Sequence, residues 1–166
     1  FLMRGIVAVL LVFGGFYYSN IIPPVPLAVR DIGIFHGVER VGGEYRVTYH
    51  KPSWYMFWKD SDSEIYLNSS RTASCFSAIF APTELETPVF HVWESLDEDR
   101  GVWVERERFD FPILGGRVSG YRGYSEKSVT EGRWRCSVET RRGALLGRAT
   151  VDVVNGSVGE VTTEVR

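Results

Sequence analysis

The chain divides into two parts by the pattern of its apolar and polar positions. Residues 5–18 form an uncharged and strongly apolar run. Beyond residue 30 apolar and polar residues alternate with a period of two, which is typical of half-buried strands because successive side chains point to opposite faces. No convincing amphipathic helix is found there. The pattern predicts an apolar helix followed by a β-rich body.

The clearest alternation lies in residues 132–139, where Trp134, Cys136 and Val138 fall on one side and polar or charged residues on the other. Turn residues and prolines separate segments of this kind, which is typical of short strands. Seven or eight strands are predicted, the main ones over residues 32–38, 45–50, 73–80, 89–95, 102–111, 134–138 and 145–154. The fold class predicted is mainly β, an antiparallel β-sandwich of immunoglobulin-like or similar type.

The apolar start predicts one transmembrane helix over residues 1–20 and a Pro-rich linker over residues 21–30. A membrane-crossing helix needs roughly 20 mostly apolar residues, so Arg4 must extend its charge towards the interface. A cleavable signal peptide and a buried core helix remain as alternatives. Arg4 on the N-terminal side favours an inner N-terminus, which places the rest of the chain in the periplasm or outside the cell.

The predicted β-sandwich domain covers residues 31–154, and residues 155–166 form a polar C-terminal tail. The tail is short of aromatic residues, which favours a loose segment. Val158, Val161 and Val165 leave open a short edge strand instead.

The two cysteines, Cys75 and Cys136, each lie within a predicted strand, with Trp93 between them. This order loosely resembles the Cys–Trp–Cys order of immunoglobulin domains, in which a disulfide joins two sheets. Two separate buried thiols are the alternative, because free cysteine is common in protein cores. The sequence leaves both open.

Charge is unevenly distributed although the net charge is only −2. Residues 60–110 contain twelve acids and four bases, and residues 111–148 contain eight bases and three acids. The segments form either two faces of opposite potential or neighbouring strands that neutralise each other. The small net charge gives no indication of nucleic-acid binding.

Enzymatic motifs are missing from the sequence. His36, His50 and His91 lack the spacing of metal ligands, and no nucleophile elbow or phosphate-binding loop is found. Glu105 and Glu107 are expected on one face of a strand, about 7 Å apart, but a pair of exposed carboxylates is not a glycosidase site without a cleft. No catalytic residue, metal or cofactor is predicted.

Two clusters predict ligand contact. A run of aromatic residues offers flat faces for sugars, lipid headgroups or a protein partner. A Gly-rich segment combines arginine forks with tyrosine hydroxyls, which suit anionic groups. Alternatively, the aromatic residues cover the open end of the sandwich or lie at the membrane interface, and the arginines pair with the acidic segment. The predicted ligand-binding residues are Trp54, Tyr55, Trp58, Arg117, Tyr121, Arg122 and Tyr124.

Four motifs carry a family resemblance: His91-x-Trp93, the segment 117–127, the Gly-x-Trp-Arg strand at 132–135 and the turn at Gly143. Together they resemble bacterial envelope proteins that end in the domain of unknown function 2914. The resemblance implies membrane placement and a β-rich terminal domain. It implies no activity, cofactor or catalytic residue.

These observations predict an uncharacterised envelope domain in the cytoplasmic membrane, acting as a non-catalytic binding or assembly module. The expected partners are the membrane and either an envelope glycan or another membrane protein, with no nucleic acid. An enzyme acting on envelope glycans and a purely structural partner of upstream membrane helices are the alternatives.

Overall fold

The computed structural model describes residues 2–18, 27–50, 61–67, 71–81, 87–113, 120–156 and 161–165, and these ranges contain one helix and eleven strands. Strands account for most of the described chain, so the mainly β prediction is confirmed. The elements are α1 (Leu2–Tyr18), β1 (Ala28–Phe35), β2 (Gly37–Val41), β3 (Glu44–His50), β4 (Glu64–Leu67), β5 (Thr72–Phe80), β6 (Thr87–Asp97), β7 (Val102–Ile113), β8 (Tyr121–Ser128), β9 (Gly132–Thr140), β10 (Leu145–Asn155) and β11 (Val161–Val165).

The apolar start forms α1, and its described side chains are all exposed, with Leu11 at 71% and Phe13 at 60%. The alternative that this segment is a buried core helix is therefore wrong. No helix in the described ranges is long and apolar enough to cross a membrane. The described helix, Leu2–Tyr18, lies within the range predicted as a transmembrane segment, residues 1–20.

The strands form three sheets with the orders β4-β10-β9-β6-β7, β1-β5-β8 and β11-β3-β2. The pairs are antiparallel except for β4 with β10, which is parallel. The first strand begins at Ala28, inside the range predicted as linker. The antiparallel prediction is confirmed for the sheets as a whole.

The β1-β5-β8 sheet is buried on both of its faces. Cys75 and Ile34 face the five-stranded sheet, in a cluster that includes Trp134. Phe76 and Phe35 face the other way and pack against the β2–β3 hairpin. This explains why the residues of β5 are nearly all buried and uncharged. The body therefore has three layers where the alternation predicted two.

The third layer depends on a tight hairpin and on the C-terminal segment. Gly42 and Gly43 both adopt positive φ in the turn between β2 and β3, a conformation that side-chain-bearing residues rarely take. β11 pairs antiparallel with β3 through residues 161–165. The tail predicted to be loose is thus an edge strand over this range, which was the alternative.

A register shift between Trp93 and Glu94 changes the faces to which the side chains of β7 point. Glu107 pairs with Trp93 and Glu105 with Glu94, and adjacent residues of β6 point to opposite faces. The expectation that Glu105 and Glu107 share one face is therefore wrong. Arg106 is an extra residue that forms a bulge in β7, and the bulge reverses the alternation of side chains between the two faces. Each carboxylate has its own cation: Arg108 lies 3.0 Å from Glu105 and Lys127 lies 2.5 Å from Glu107.

Candidate functional site

A buried polar centre lies between the five-stranded sheet and the β1-β5-β8 sheet. His91 projects inward from β6, and its Nε2 lies 2.7 Å from Ser77 Oγ while its Nδ1 lies 2.9 Å from Ser125 Oγ. Trp93 Nε1 donates to the same Ser125 Oγ at 3.0 Å. Burial lowers the pKa of His91 to about 3, so the imidazole is neutral at pH 7. The interior holds a neutral histidine whose two ring nitrogens both have partners.

Both serine hydroxyls of this centre are hydrogen-bonded to His91. In the neutral imidazole one ring nitrogen donates to its serine and the other accepts from its serine, while Trp93 donates to Ser125. Phe111 covers the imidazole at a centroid distance of 4.4 Å. Gly123 makes room for that ring, since a Cβ there would lie 3.2 Å from Phe111 Cδ1. A closed and covered network of this kind suits a structural role better than catalysis.

The two cysteines form a disulfide beside this centre. Cys75 of β5 is bonded to Cys136 of β9 across 61 residues of sequence, and both are fully buried. Trp93 is the register partner of Cys136 on the neighbouring strand. Of the two alternatives, the structure therefore has the disulfide and not two separate thiols. The disulfide joins two facing sheets over a tryptophan, as immunoglobulin disulfides do.

A second polar cluster lies where β1 passes into β2, and it is the better candidate for a functional site. Asp62 is buried and accepts three hydrogen bonds. Its Oδ2 accepts from the backbone N–H of His36 at 3.1 Å and from His36 Nδ1 at 2.8 Å. Its Oδ1 accepts from the backbone N–H of His50 at 2.7 Å. We call these residues, with Tyr66, the aspartate clasp.

The clasp specifies the tautomer of one histidine and leaves a nitrogen of the other unpaired. The backbone N–H of Tyr66 points to His36 Nε2 at 3.3 Å, so this nitrogen is the acceptor and Nδ1 carries the proton. The His50 ring lies edge-on to that of His36, with centroids 4.4 Å apart. Among the described residues, buried His50 Nε2 has no hydrogen-bond partner. No sequence spacing indicated this arrangement of two histidines around one aspartate.

Substituting Asp62→Asn is expected to destabilise the protein by about 2 kcal/mol. The NH2 group of the asparagine cannot accept a hydrogen bond, so the N–H donor that it faces is left without a partner. Urea unfolding of both proteins measures the difference. Glu64→Gln is the matched control, since Glu64 is exposed and its carboxylate accepts from the Tyr66 hydroxyl, and a change below about 0.5 kcal/mol is expected. Equal losses in the two variants would contradict the role of the clasp.

The predicted ligand-binding residues do not form a described surface. Trp54, Tyr55, Trp58 and Arg117 lie outside the described residues. Tyr121 packs in the inner core with Ile79 and Val89, whereas Tyr124 packs on the opposite face of β8, against Tyr45.

Arg122 is exposed, and its backbone carbonyl accepts from the Tyr45 hydroxyl at 3.1 Å. Tyr121 and Tyr124 therefore cannot line one groove from this strand, and the binding role of all seven residues stays a prediction.

Opposite charges from the two segments meet on the outer face of the five-stranded sheet. Arg135 makes a two-pronged contact with Glu94, at 2.5 and 2.8 Å, and its guanidinium lies 4.2 Å from the Trp103 ring centroid. Arg108 bonds to Glu105, which lowers the pKa of that carboxyl. Neighbouring strands thus neutralise each other across this face, which was one of the two alternatives.

Comparisons with known proteins include one family model and several distantly similar structures, of which two are described here. No curated protein matches the chain. The DNA-bound alkylpurine DNA glycosylase AlkC of Pseudomonas fluorescens is 11% identical with a TM-score of 0.49, over 84% of this chain and 33% of that one. The chain thus spans about a third of the glycosylase. An immunoglobulin-like protein of Pseudomonas aeruginosa is 14% identical with a TM-score of 0.44, over 78% and 97%.

The motif strands β6, β9 and β10 lie in the region that matches a family model. Residues 86–153 match the model described as protein of unknown function, DUF2914. The match confirms, over this range, the resemblance to the domain of unknown function 2914 that the His-x-Trp and Gly-x-Trp-Arg strands indicated. In its C-terminal part, over residues 86–153, this chain is therefore similar to the DUF2914 family.

Proposed function

We propose that the protein is a non-catalytic binding or assembly module of the cell envelope. In this proposal α1 holds the chain at the cytoplasmic membrane, and the β body lies on the periplasmic or outer side. The arrangement of Glu105 and Glu107 supports a non-catalytic role, because their carboxylates point to opposite faces of the sheet and each contacts a cationic side chain.

The observation that carries the proposal is the surface of α1. Surface helices of globular proteins have one polar side, whereas the described part of α1 is apolar all round apart from Arg4. Its exposed side chains include Leu10 at 66% and Leu11 at 71%. Such a surface needs an apolar environment, and we propose that lipid provides it.

The disulfide supports placement outside the cytoplasm. Disulfides form and persist in oxidising compartments, which include the bacterial periplasm and the cell surface. The Cys75–Cys136 bridge lies in the core, where it joins β5 to β9.

Charging α1 is expected to release the protein from membranes. Leu10→Lys combined with Leu11→Lys places two ammonium groups near the middle of the helix, at a cost of about 3 kcal/mol each in lipid. Flotation of expressed chains on a density gradient measures the loss, which should exceed a hundredfold.

The matched control is Val41→Lys with Leu145→Lys, which charges two exposed apolar residues of the body. This control should float with the unaltered protein. Recovery of the unaltered chain in the soluble fraction would contradict membrane placement.

In this proposal the exposed Arg122 is a centre of ligand contact, and the aromatic run around Trp54 remains a sequence-based prediction. Guanidinium and aromatic groups suit acidic glycans of the envelope. Binding of peptidoglycan fragments to the full chain tests this, and Arg122→Ala should weaken it at least fivefold. Arg46→Ala removes another exposed arginine and should leave binding unchanged. Unchanged binding with Arg122→Ala would rule out this surface.

A further inference from the structure

We propose that the two core cysteines and His91 form a buried tetrahedral zinc site when the Cys75–Cys136 disulfide is reduced. While the disulfide is intact both sulfurs are bonded to each other, and no metal is held. The proposal concerns the interior of the body and is independent of where the body lies in the cell.

The three side chains converge because of strand register. His91 pairs with Val138 and Trp93 with Cys136, so His91 and Cys136 are diagonal neighbours on the inner face of one sheet. Cys75 approaches from the facing sheet. One ligand atom from each of the three residues lies within 4.8 Å of the others, and all three residues are buried.

These separations suit a tetrahedral zinc ion. Zn–S bonds of about 2.3 Å and Zn–N bonds of about 2.0 Å place neighbouring ligand atoms roughly 3.5–3.8 Å apart. Breaking the disulfide lets the sulfurs separate to non-bonded contact, which is close to the S···S edge of that tetrahedron. Cys75 and Cys136 therefore need only side-chain adjustments, while their strands stay in place.

His91 is already a suitable ligand. Its imidazole is neutral, as metal binding requires, and each nitrogen has a serine partner. The nitrogen that turns to zinc gives up its serine, whereas the other nitrogen keeps its hydrogen bond and orients the ring. The released serine hydroxyl, or a water molecule, is the oxygen donor for the fourth position.

The chemical steps balance with a dithiol as reductant. The dithiol transfers two electrons and two protons to the cystine, which becomes two thiols, and the dithiol becomes a cyclic disulfide. Zn²⁺ then displaces the two thiol protons to solvent and binds both thiolates. A phosphine reductant leaves the same two thiols and becomes a phosphine oxide by taking the oxygen of one water.

Cobalt titration of the full chain in detergent tests the site. After reduction with a phosphine, the chain is expected to bind one Co²⁺ with intense tetrahedral bands in the visible and thiolate-to-cobalt absorption in the near ultraviolet. One equivalent of Zn²⁺ should displace it. The oxidised chain should show neither signal, and His91→Gln should weaken binding at least tenfold.

Ser137→Ala is the matched control, because Ser137 is a buried residue of β9 whose hydroxyl accepts from Arg148, and the cobalt signal should stay unchanged. If reduction unfolds the chain, recovery of the near-ultraviolet circular dichroism of its buried tryptophans on adding Zn²⁺ supports the site, and no recovery overturns it. A folded, reduced chain without thiolate absorption also overturns it. So does equal affinity in His91→Gln, because the metal would then bind the cysteines alone.

Discussion

Replacing both cysteines, Cys75→Ala with Cys136→Ala, is expected to lower the free energy of unfolding by about 4 kcal/mol. The bridge closes 61 residues of chain, and the chain-entropy model assigns roughly this stabilisation to a loop of that length. Urea unfolding in oxidising buffer measures the difference. The effect is large because the bridge keeps two residues that are distant in sequence together in the unfolded chain, which lowers the conformational entropy of that state.

The unaltered protein treated with a phosphine and a metal chelator is the control, because it lacks the bridge but keeps both sulfur atoms. It should lose most of the same stability, and the remaining difference measures the packing of the sulfurs. A double variant within about 1 kcal/mol of the oxidised protein would show that the bridge is not a major source of stability.

Stability is expected to fall as the pH drops from about 6.5 to about 3, because of His91. Burial lowers the pKa of His91 in the folded protein to about 3. Within this window the unfolded chain binds a proton that the folded protein excludes, so acid favours unfolding. The full stabilisation is present above pH 6.5. The loss from this residue is about 2 kcal/mol at pH 5 and about 4 kcal/mol at pH 3.

His91→Gln removes the titrating group, and the slope of unfolding free energy against pH should become much flatter between pH 6.5 and pH 4. Ser125→Ala is the matched control: it removes a hydrogen bond of the same network but keeps the histidine, so the slope should remain. An unchanged slope in His91→Gln would mean that another group causes the acid sensitivity.

Local alternation was a good guide wherever a strand is regular and has one neighbour on each side. Strand β9 shows this, because Trp134, Cys136 and Val138 are buried as their parity predicts. The uncharged run of β5 correctly indicated a central strand. The pattern is local, so any sheet that keeps the period of two preserves it.

The local alternation of apolar and polar residues could not predict the strand register or the position of bulges. The shift beside Trp93 places Glu105 and Glu107 on opposite faces, although their spacing along the chain is that of one face. A bulge is stabilised by what surrounds it in three dimensions, here the Arg106 Nε that donates to Ser95 Oγ at 2.8 Å. Their spacing therefore gave a wrong prediction that the two side chains share one face of β7.

The candidate site was the least accessible to sequence analysis. Asp62 lies 26 residues from His36 and 12 from His50, and a short polar run around Asp62 is typical of a solvated loop. Burying that carboxylate required the β2–β3 layer to fold over the β1-β5-β8 sheet. No local sequence signal distinguishes this aspartate from the other polar residues of the run.

The sequence by itself determined the β class, the faces of its regular strands, the apolar helix and the family resemblance of residues 86–153. These follow from short-range rules of backbone geometry and hydrophobicity. Only the tertiary structure decided that Cys75 bonds to Cys136, that His91 is held neutral between two serines, and that Asp62 joins two histidines. Each of these depends on contacts between residues distant in the chain, and such contacts exist only after the sheets have packed.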